Sequence, residues 1–156
     1  MMNQRRTLLK GTLAAGAAGI AASVGLLTPK AVLAAWPKAA FESKSVDAAL
    51  SAALGSSSTS ESGKIKLKAP DIAENGAVVP ITVTSGISGT ESISVLVAKN
   101  NQPLAANFKL GGDTEGYVST RIKMGKTSDV VAVVKAGGKL FSTKKQVKVT
   151  IGGCGG

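Results

Sequence analysis

Between residues 64 and 151, the chain repeats short segments in which apolar and polar side chains alternate with a period of two. This alternation places the apolar side chains on one face of a β-strand, and the many β-branched residues here favour strands. Turn-forming residues separate the segments about every eight to twelve positions. The pattern therefore predicts antiparallel sheets. The predicted strands are 64–68, 77–84, 92–99, 104–110, 117–124, 130–135 and 146–151.

Two local features bear on how these strands are arranged. Gly137-Gly138 separates two apolar segments and predicts a two-residue hairpin turn, because such turns need residues that adopt positive φ. Pro80 lies inside a predicted strand, and since proline has no backbone N–H to donate, it favours a sheet edge or a bulge there.

A helix and a linker precede the strands. Residues 38–54 have helical spacing, and Pro37 suits the first turn. The apolar face of this helix comprises Val46, Ala49, Leu50, Ala53 and Leu54. Residues 55–63 are rich in serine and glycine and predict a flexible linker. The predicted fold class is mainly β: an immunoglobulin-like antiparallel β-sandwich of about seven strands, preceded by an amphipathic helix and followed by a flexible glycine-rich C-terminal arm.

The C-terminal arm is Gly152-Gly153-Cys154-Gly155-Gly156, and it holds the only cysteine of the sequence. Free cysteines are usually small buried hydrophobes, but Cys154 has no apolar neighbour in this run with which to enter a core. Glycine on both sides gives the backbone freedom, and five extended residues reach roughly 17 Å. We interpret the arm as a flexible segment that presents a thiol to other proteins.

The first 34 residues predict an export signal. Arg5 and Arg6 begin a basic segment, an apolar stretch follows at 11–27, and small residues surround a cleavage site after Ala34. The paired arginines favour the twin-arginine route and a periplasmic location. A membrane anchor is the weaker interpretation, because alanine and glycine contribute little insertion energy. The predicted organisation is an export signal at 1–34, a helix and linker at 35–63, a sandwich at 64–151 and the arm at 152–156.

The composition argues against an enzyme. The sequence contains no histidine, which excludes Ser-His-Asp and Cys-His catalytic pairs and most zinc and copper sites. No glycine-rich phosphate loop follows a strand. The nine carboxylates are scattered, and we interpret them as solvated. We expect no catalytic residue, no metal site and no cofactor.

The net charge of +10 raises the question of a polyanionic partner. Basic residues cluster in the sequence at Lys64-Lys66-Lys68, Arg121-Lys123-Lys126 and Lys144-Lys145-Lys148. A solvated face that protects sheet edges is the simpler interpretation. Binding of a small oxyanion or an acidic partner is the alternative, and neutralising Arg121, Lys123 and Lys126 would then weaken that binding at low salt. With five aromatic residues and an export signal, the chain is predicted to bind neither nucleic acid nor membrane.

Three features together resemble one family. A signal of the twin-arginine type, a helix before a small sandwich, and the Gly-Gly-Cys-Gly-Gly end are similar to SoxY, the sulfur-carrier subunit of the periplasmic thiosulfate-oxidising Sox system. Residues 68–76 and 119–125 also resemble that family. The signal departs from the usual pattern at Gln4 and Leu8.

The resemblance implies that Cys154 is the covalent attachment point for sulfur and that Gly152, Gly153, Gly155 and Gly156 give it access to several active sites. It also implies a heterodimer with a SoxZ-like subunit. The enzymes implied are the cytochrome complex SoxAX, which joins thiosulfate to the thiol, the hydrolase SoxB, which releases sulfate, and the sulfane dehydrogenase SoxCD. The carrier itself performs no turnover.

Three alternatives stay open on the residues alone. A carrier could hold sulfur as a thiocarboxylate on Gly156, although that route needs cytoplasmic nucleotide activation. An exported envelope or adhesion domain could use Cys154 only as an intermolecular disulfide tether. A thiol reductase is disfavoured, because such cycles normally use a second cysteine. In each case an unshielded thiol predicts a disulfide-linked homodimer in the absence of reductant.

Overall fold

The computed structural model describes residues 37–150, which form two helices and nine strands. The helices are α1 (Lys38–Glu42) and α2 (Val46–Leu54). The strands are β1 (Ser60–Glu61), β2 (Ile65–Lys68), β3 (Ile72–Ala73), β4 (Val79–Ser85), β5 (Thr90–Val97), β6 (Leu104–Lys109), β7 (Tyr117–Ile122), β8 (Ser128–Ala136) and β9 (Lys139–Val149).

The strands form two sheets that pack face to face. The larger sheet has the order β1-β9-β8-β5-β6, with β3 also paired to β9, and the smaller sheet has the order β2-β4-β7. The core between them is dominated by β-branched side chains. Its fully buried members include Val79, Ile81, Val83, Ile93, Val95, Val130, Val134 and Val147. The predicted mainly-β, immunoglobulin-like sandwich is confirmed.

The helices cover the outer face of the larger sheet. Ala49 and Leu50 of α2 are buried in a second cluster that contains Leu96 of β5 and Val133 of β8. Strand β8 is therefore buried on both faces, which explains why 130–134 is a continuous apolar run rather than an alternating one. The outer face of the smaller sheet is mainly polar and carries the exposed Tyr117 near one end.

The sequence predicts one helix over 38–54, and this part of the prediction is wrong because the helix is interrupted. Ser43 has an extended backbone, and its hydroxyl donates to the carbonyl of Ala39 at 2.7 Å. Ser45 then caps α2 by accepting a hydrogen bond from the backbone N–H of Ala48 at 3.2 Å. Serine side chains compete for backbone groups in this way, so the two serines end one helix and begin the next.

Part of the predicted linker is also ordered against the larger sheet. Ser60 and Glu61 of β1 run parallel to β9, and the Ser142 hydroxyl donates to the Thr59 hydroxyl at 3.0 Å. The backbone N–H of Ser62 also donates to the carbonyl of Ser142 at 3.0 Å. The serine-rich segment therefore forms a short edge strand that pairs with β9.

The turn predictions have different outcomes. Gly137 and Gly138 have φ of 55° and 72°, and Ala136 pairs with Lys139, which confirms the two-residue hairpin. The prediction that Pro80 marks a sheet edge or a bulge is wrong for β4 as a whole, because β4 is central in its sheet and pairs with β7 through Pro80 without a register shift. Proline is tolerated there because β2 pairs only as far as Thr82, so no strand of the described chain flanks Pro80 on that side.

Candidate functional site

The site residues predicted from the sequence lie outside the described part of the chain. These are Cys154, its four flanking glycines, and the signal residues Arg5 and Arg6. The described chain ends at Thr150, one residue after β9 and four before Cys154. The described residues nearest to Cys154 are those that contact the end of β9. We call Ala73, Gly76, Thr127, Val149 and Thr150 the arm base.

Strand β3 holds the arm base from one side. The backbone N–H of Lys148 donates to the carbonyl of Asp71 at 2.9 Å, and that of Thr150 donates to the carbonyl of Ala73 at 3.1 Å. This spacing of two residues is that of a parallel ladder, in agreement with the pairing of Ile72 with Lys148. The ladder fixes the backbone of β9 as far as Thr150.

The side chain of Thr127 holds Val149, the last residue of β9. The backbone N–H of Val149 donates to Oγ1 of Thr127 at 3.0 Å, and the same hydroxyl donates to the carbonyl of Val149 at 3.4 Å. Thr127 immediately precedes β8, whose first residue, Ser128, pairs with Val147. The hydroxyl thus extends the contact with β8 beyond the end of the regular ladder.

A tight turn packs against the same point. The side-chain carbonyl of Asn75 accepts from the backbone N–H of Ala77 at 2.9 Å, and its backbone carbonyl accepts from Val78 at 3.3 Å. A Cβ atom on Gly76 would collide with the Met124 carbonyl oxygen and would lie 2.8 Å from Cγ1 of Val149. Only glycine fits in this position without displacing one of its neighbours.

Lys145 attaches the segment before β3 to β9. Its ammonium group donates to the carbonyl of Ala69 at 2.6 Å and lies 3.0 Å from a carboxylate oxygen of Asp71. Lys145 belongs to the basic cluster Lys144-Lys145-Lys148, and it has structural partners in Ala69 and Asp71. The lysine stabilises the path of β3, and through β3 it supports the arm base.

The second basic cluster is divided by the fold. Arg121 lies on β7, whereas Lys123 and Lys126 lie in the segment between β7 and β8. Asn100 binds that segment by donating to the carbonyl of Lys123 at 2.8 Å and accepting from the N–H of Gly125 at 3.1 Å. The hypothesis that Arg121, Lys123 and Lys126 bind an oxyanion stays a prediction.

Two further properties concern residues 37–150 alone. No group of three or more histidine, cysteine, aspartate or glutamate residues in this range is arranged to hold a metal ion. None of its helices is both long enough and apolar enough to cross a membrane.

The position of the arm base limits where the predicted thiol can act. Four extended residues span at most about 14 Å, so the Cα of Cys154 is confined to that distance from Thr150 by covalent geometry alone. A protein that reacts with the thiol must therefore approach the arm base. The alternating pattern and the turn-forming residues of the sequence predict neither the bond from Thr127 to Val149 nor the contact between Gly76 and Val149, since neither has a local signature.

The family model for "Sulfur oxidation protein SoxY" matches residues 50–154, a range that contains every strand described above and includes Cys154. The chain belongs to the SoxY family. It is also similar to the solved structure of the sulfur carrier protein SoxY from Chlorobium limicola f thiosulfatophilum, at 46% sequence identity and a TM-score of 0.62. The match covers 67% of this SoxY-family chain and 96% of the Chlorobium chain. No curated protein in the sequence search matches significantly.

Proposed function

We propose that this SoxY-family chain is a non-catalytic carrier in sulfur oxidation, and that Cys154 holds the sulfur intermediates covalently. The observation that carries the proposal is the arm base: hydrogen bonds from β3 and from Thr127 fix the chain as far as Thr150, four residues before a thiol flanked by glycines. A fixed base and a short glycine arm suit a group that must enter several different active sites.

The chemistry needs only one functional atom from this chain. In the loading step, the thiol and thiosulfate lose two electrons and one proton, an S–S bond forms, and the cytochrome complex SoxAX takes the electrons. In the hydrolytic step, SoxB adds water, the terminal sulfonate leaves as sulfate, and a persulfide stays on Cys154. The sulfane dehydrogenase SoxCD then takes electrons from the outer persulfide sulfur while water supplies the oxygen atoms of a new sulfonate. SoxB hydrolyses this sulfonate to sulfate, which restores the thiol of Cys154. The carrier supplies the sulfur nucleophile and the position, and no cofactor of its own.

The proposed setting is the periplasm. Residues 1–34 would direct export through the twin-arginine route, with Arg5 and Arg6 as the signal residues. The proposed constitutive partner is a SoxZ-like subunit in a heterodimer. These proposals rest on the family and on the sequence pattern of residues 1–34.

Replacing the sulfur atom tests this proposal. Thiosulfate oxidation is reconstituted with the purified Sox enzymes, the SoxZ-like subunit and either the wild-type chain or Cys154→Ser. We expect turnover to be lost in Cys154→Ser while its heterodimer and fold are retained. A variant extended beyond Gly156 is the control, because it abolishes a thiocarboxylate route and leaves a cysteine route intact. Undiminished turnover by Cys154→Ser, with loss only of a cross-linked dimer, would favour the tether alternative.

A further inference from the structure

A groove crosses the exposed face of the smaller sheet and ends at the arm base. Three shallow depressions adjoin there: the first and second share Lys68 and Thr82, and the second and third share Pro70 and Pro80. Tyr117 lines the far end, and Ile72 and Val78 line the end beside Ala73. We call this depression the sheet groove. From Val78, which directly precedes β4, to Thr84 the groove runs for about 20 Å.

The exposed apolar side chains of the structure are concentrated in this groove. Within residues 37–150, three large apolar side chains are exposed: Ile72 at 56%, Tyr117 at 52% and Val78 at 50%. Single exposed apolar residues are ordinary on a protein surface. All three nevertheless line the sheet groove, which indicates a contact surface rather than scattered exposure.

The groove is cationic from its middle to its far end. Lys68 lies beside Thr82 and Arg121 lies opposite Pro80 near the middle, and Lys66 lies level with Thr84 and Tyr117. Among the lining residues of the described chain, the single carboxylate belongs to Glu74, at the arm end. A partner that lies along the groove therefore meets Ile72 and Val78 at the arm end and positive charge from the middle to the end that holds Tyr117. Charge complementarity requires acidic side chains on that partner.

The position of the groove indicates which partner this is. Ile72 directly precedes Ala73, whose carbonyl binds the N–H of Thr150. Since Cys154 cannot lie more than about 14 Å from Thr150, a protein that accepts the thiol must approach this end of the groove. A second copy of the chain fits less well, because it would bring its own lysines against the same positive surface.

We propose that the sheet groove is the docking surface for the enzymes that accept the arm. Such an enzyme packs apolar side chains around the mouth of its active-site channel against Ile72 and Val78, and its acidic side chains face Lys66, Lys68 and Arg121. This inference rests on the proposed carrier function. It assigns recognition to the body of the domain, so that one short arm is delivered in a defined orientation.

Charge reversal on the groove tests the proposal. The carrier, paired with its SoxZ-like subunit and loaded with thiosulfate, is the substrate, and purified SoxB is the probe. Lys66→Glu with Lys68→Glu is compared with Lys109→Glu and Lys139→Glu, which make the same charge change at exposed positions on the larger sheet. We expect kcat/KM for the groove pair to fall about 10-fold or more at low salt and to lose most of its salt dependence. The control pair stays near the wild type, and alkylation of unloaded Cys154 by iodoacetamide is unchanged in both.

A second variant keeps the test independent of charge. Ile72→Ser with Val78→Ser removes apolar contact at exposed positions, and we expect it to raise KM at low and at high salt alike. The proposal is overturned if both groove variants match the control pair. It is also overturned if they lose pairing with the SoxZ-like subunit or self-association while SoxB accepts the assembled carrier normally. Failure of the carrier function itself is recognised separately, by sulfur transfer that persists in Cys154→Ser.

Discussion

Because Gly76 lies against the end of β9, we expect Gly76→Ala to lower the free energy of unfolding. In Gly76→Ala the new Cβ would lie 2.8 Å from Cγ1 of Val149, whereas carbon atoms normally approach to about 3.5–4.0 Å. It would also meet the carbonyl oxygen of Met124. The N–H of Met124 donates to the Gly76 carbonyl at 2.7 Å, so the two segments cannot separate without losing a hydrogen bond.

The magnitude follows from two opposing terms. Overpacking of a close contact costs about 1–3 kcal/mol, and the shift of roughly 1 Å needed here is at the upper side of what a neighbour absorbs. Alanine restricts the unfolded chain relative to glycine, which offsets about 0.4–1 kcal/mol. We expect a net loss of about 1–2 kcal/mol, and a decrease in Tm of about 4 °C for each kcal/mol.

Urea unfolding of the isolated chain measures the difference in the free energy of unfolding between Gly76→Ala and the wild type. Gly63→Ala is the matched control, because a Cβ at Gly63 has no atom within 4 Å, and we expect it to be neutral or slightly stabilising. Amide hydrogen exchange at Thr150 should accelerate in Gly76→Ala and stay unchanged in Gly63→Ala. Equal stability of the two variants would refute the argument that Gly76 is packed tightly against β9.

Three further predictions concern the arm base and the thiol. Thr127→Val keeps the side-chain shape but leaves the N–H of Val149 without its partner. Urea unfolding should therefore show a loss of stability of about 1–3 kcal/mol. A loss below about 0.5 kcal/mol would contradict the role of the hydroxyl. Lys145→Met should lower the free energy of unfolding by about 1 kcal/mol, because the hydrogen bond to the Ala69 carbonyl is lost. The matched variant Lys144→Met, at an exposed position, should be close to neutral in the same assay. Equal effects of the two variants would refute the contact of Lys145. Purified chain without reductant should run partly as a disulfide-linked homodimer on a non-reducing gel, and monomer alone would count against an accessible Cys154.

The main strands could be predicted because each carries its own periodic signal. Alternation in 77–84 and 117–124 reports which side chains face the core, and Val79, Ile81, Val118 and Ile122 are indeed buried. The Gly137-Gly138 hairpin was equally local, since two consecutive residues with positive φ define it. In these segments the sequence contains the structural information within a few residues.

The arm base could not be predicted in the same way. Strands β1 and β3 have two residues each, too few for a period, and they form only because β9 offers a parallel edge far along the chain. Lys144 and Lys145 look alike in sequence, but only the fold places Ala69 and Asp71 beside Lys145. The sheet groove combines side chains of β2, β3, β4 and β7, so it depends on the register between strands.

The proposed carrier function requires the sulfur cargo to be bound covalently to Cys154. Its most direct test is the intact mass of the chain isolated from cells that are oxidising thiosulfate, measured with and without reductant, with any adduct mapped by peptide analysis. We expect additions the size of thiosulfate or of extra sulfur atoms, removed by reductant and located on the peptide that contains Cys154. An unmodified C-terminal peptide during active oxidation, or an adduct at any other residue, would contradict the proposed function.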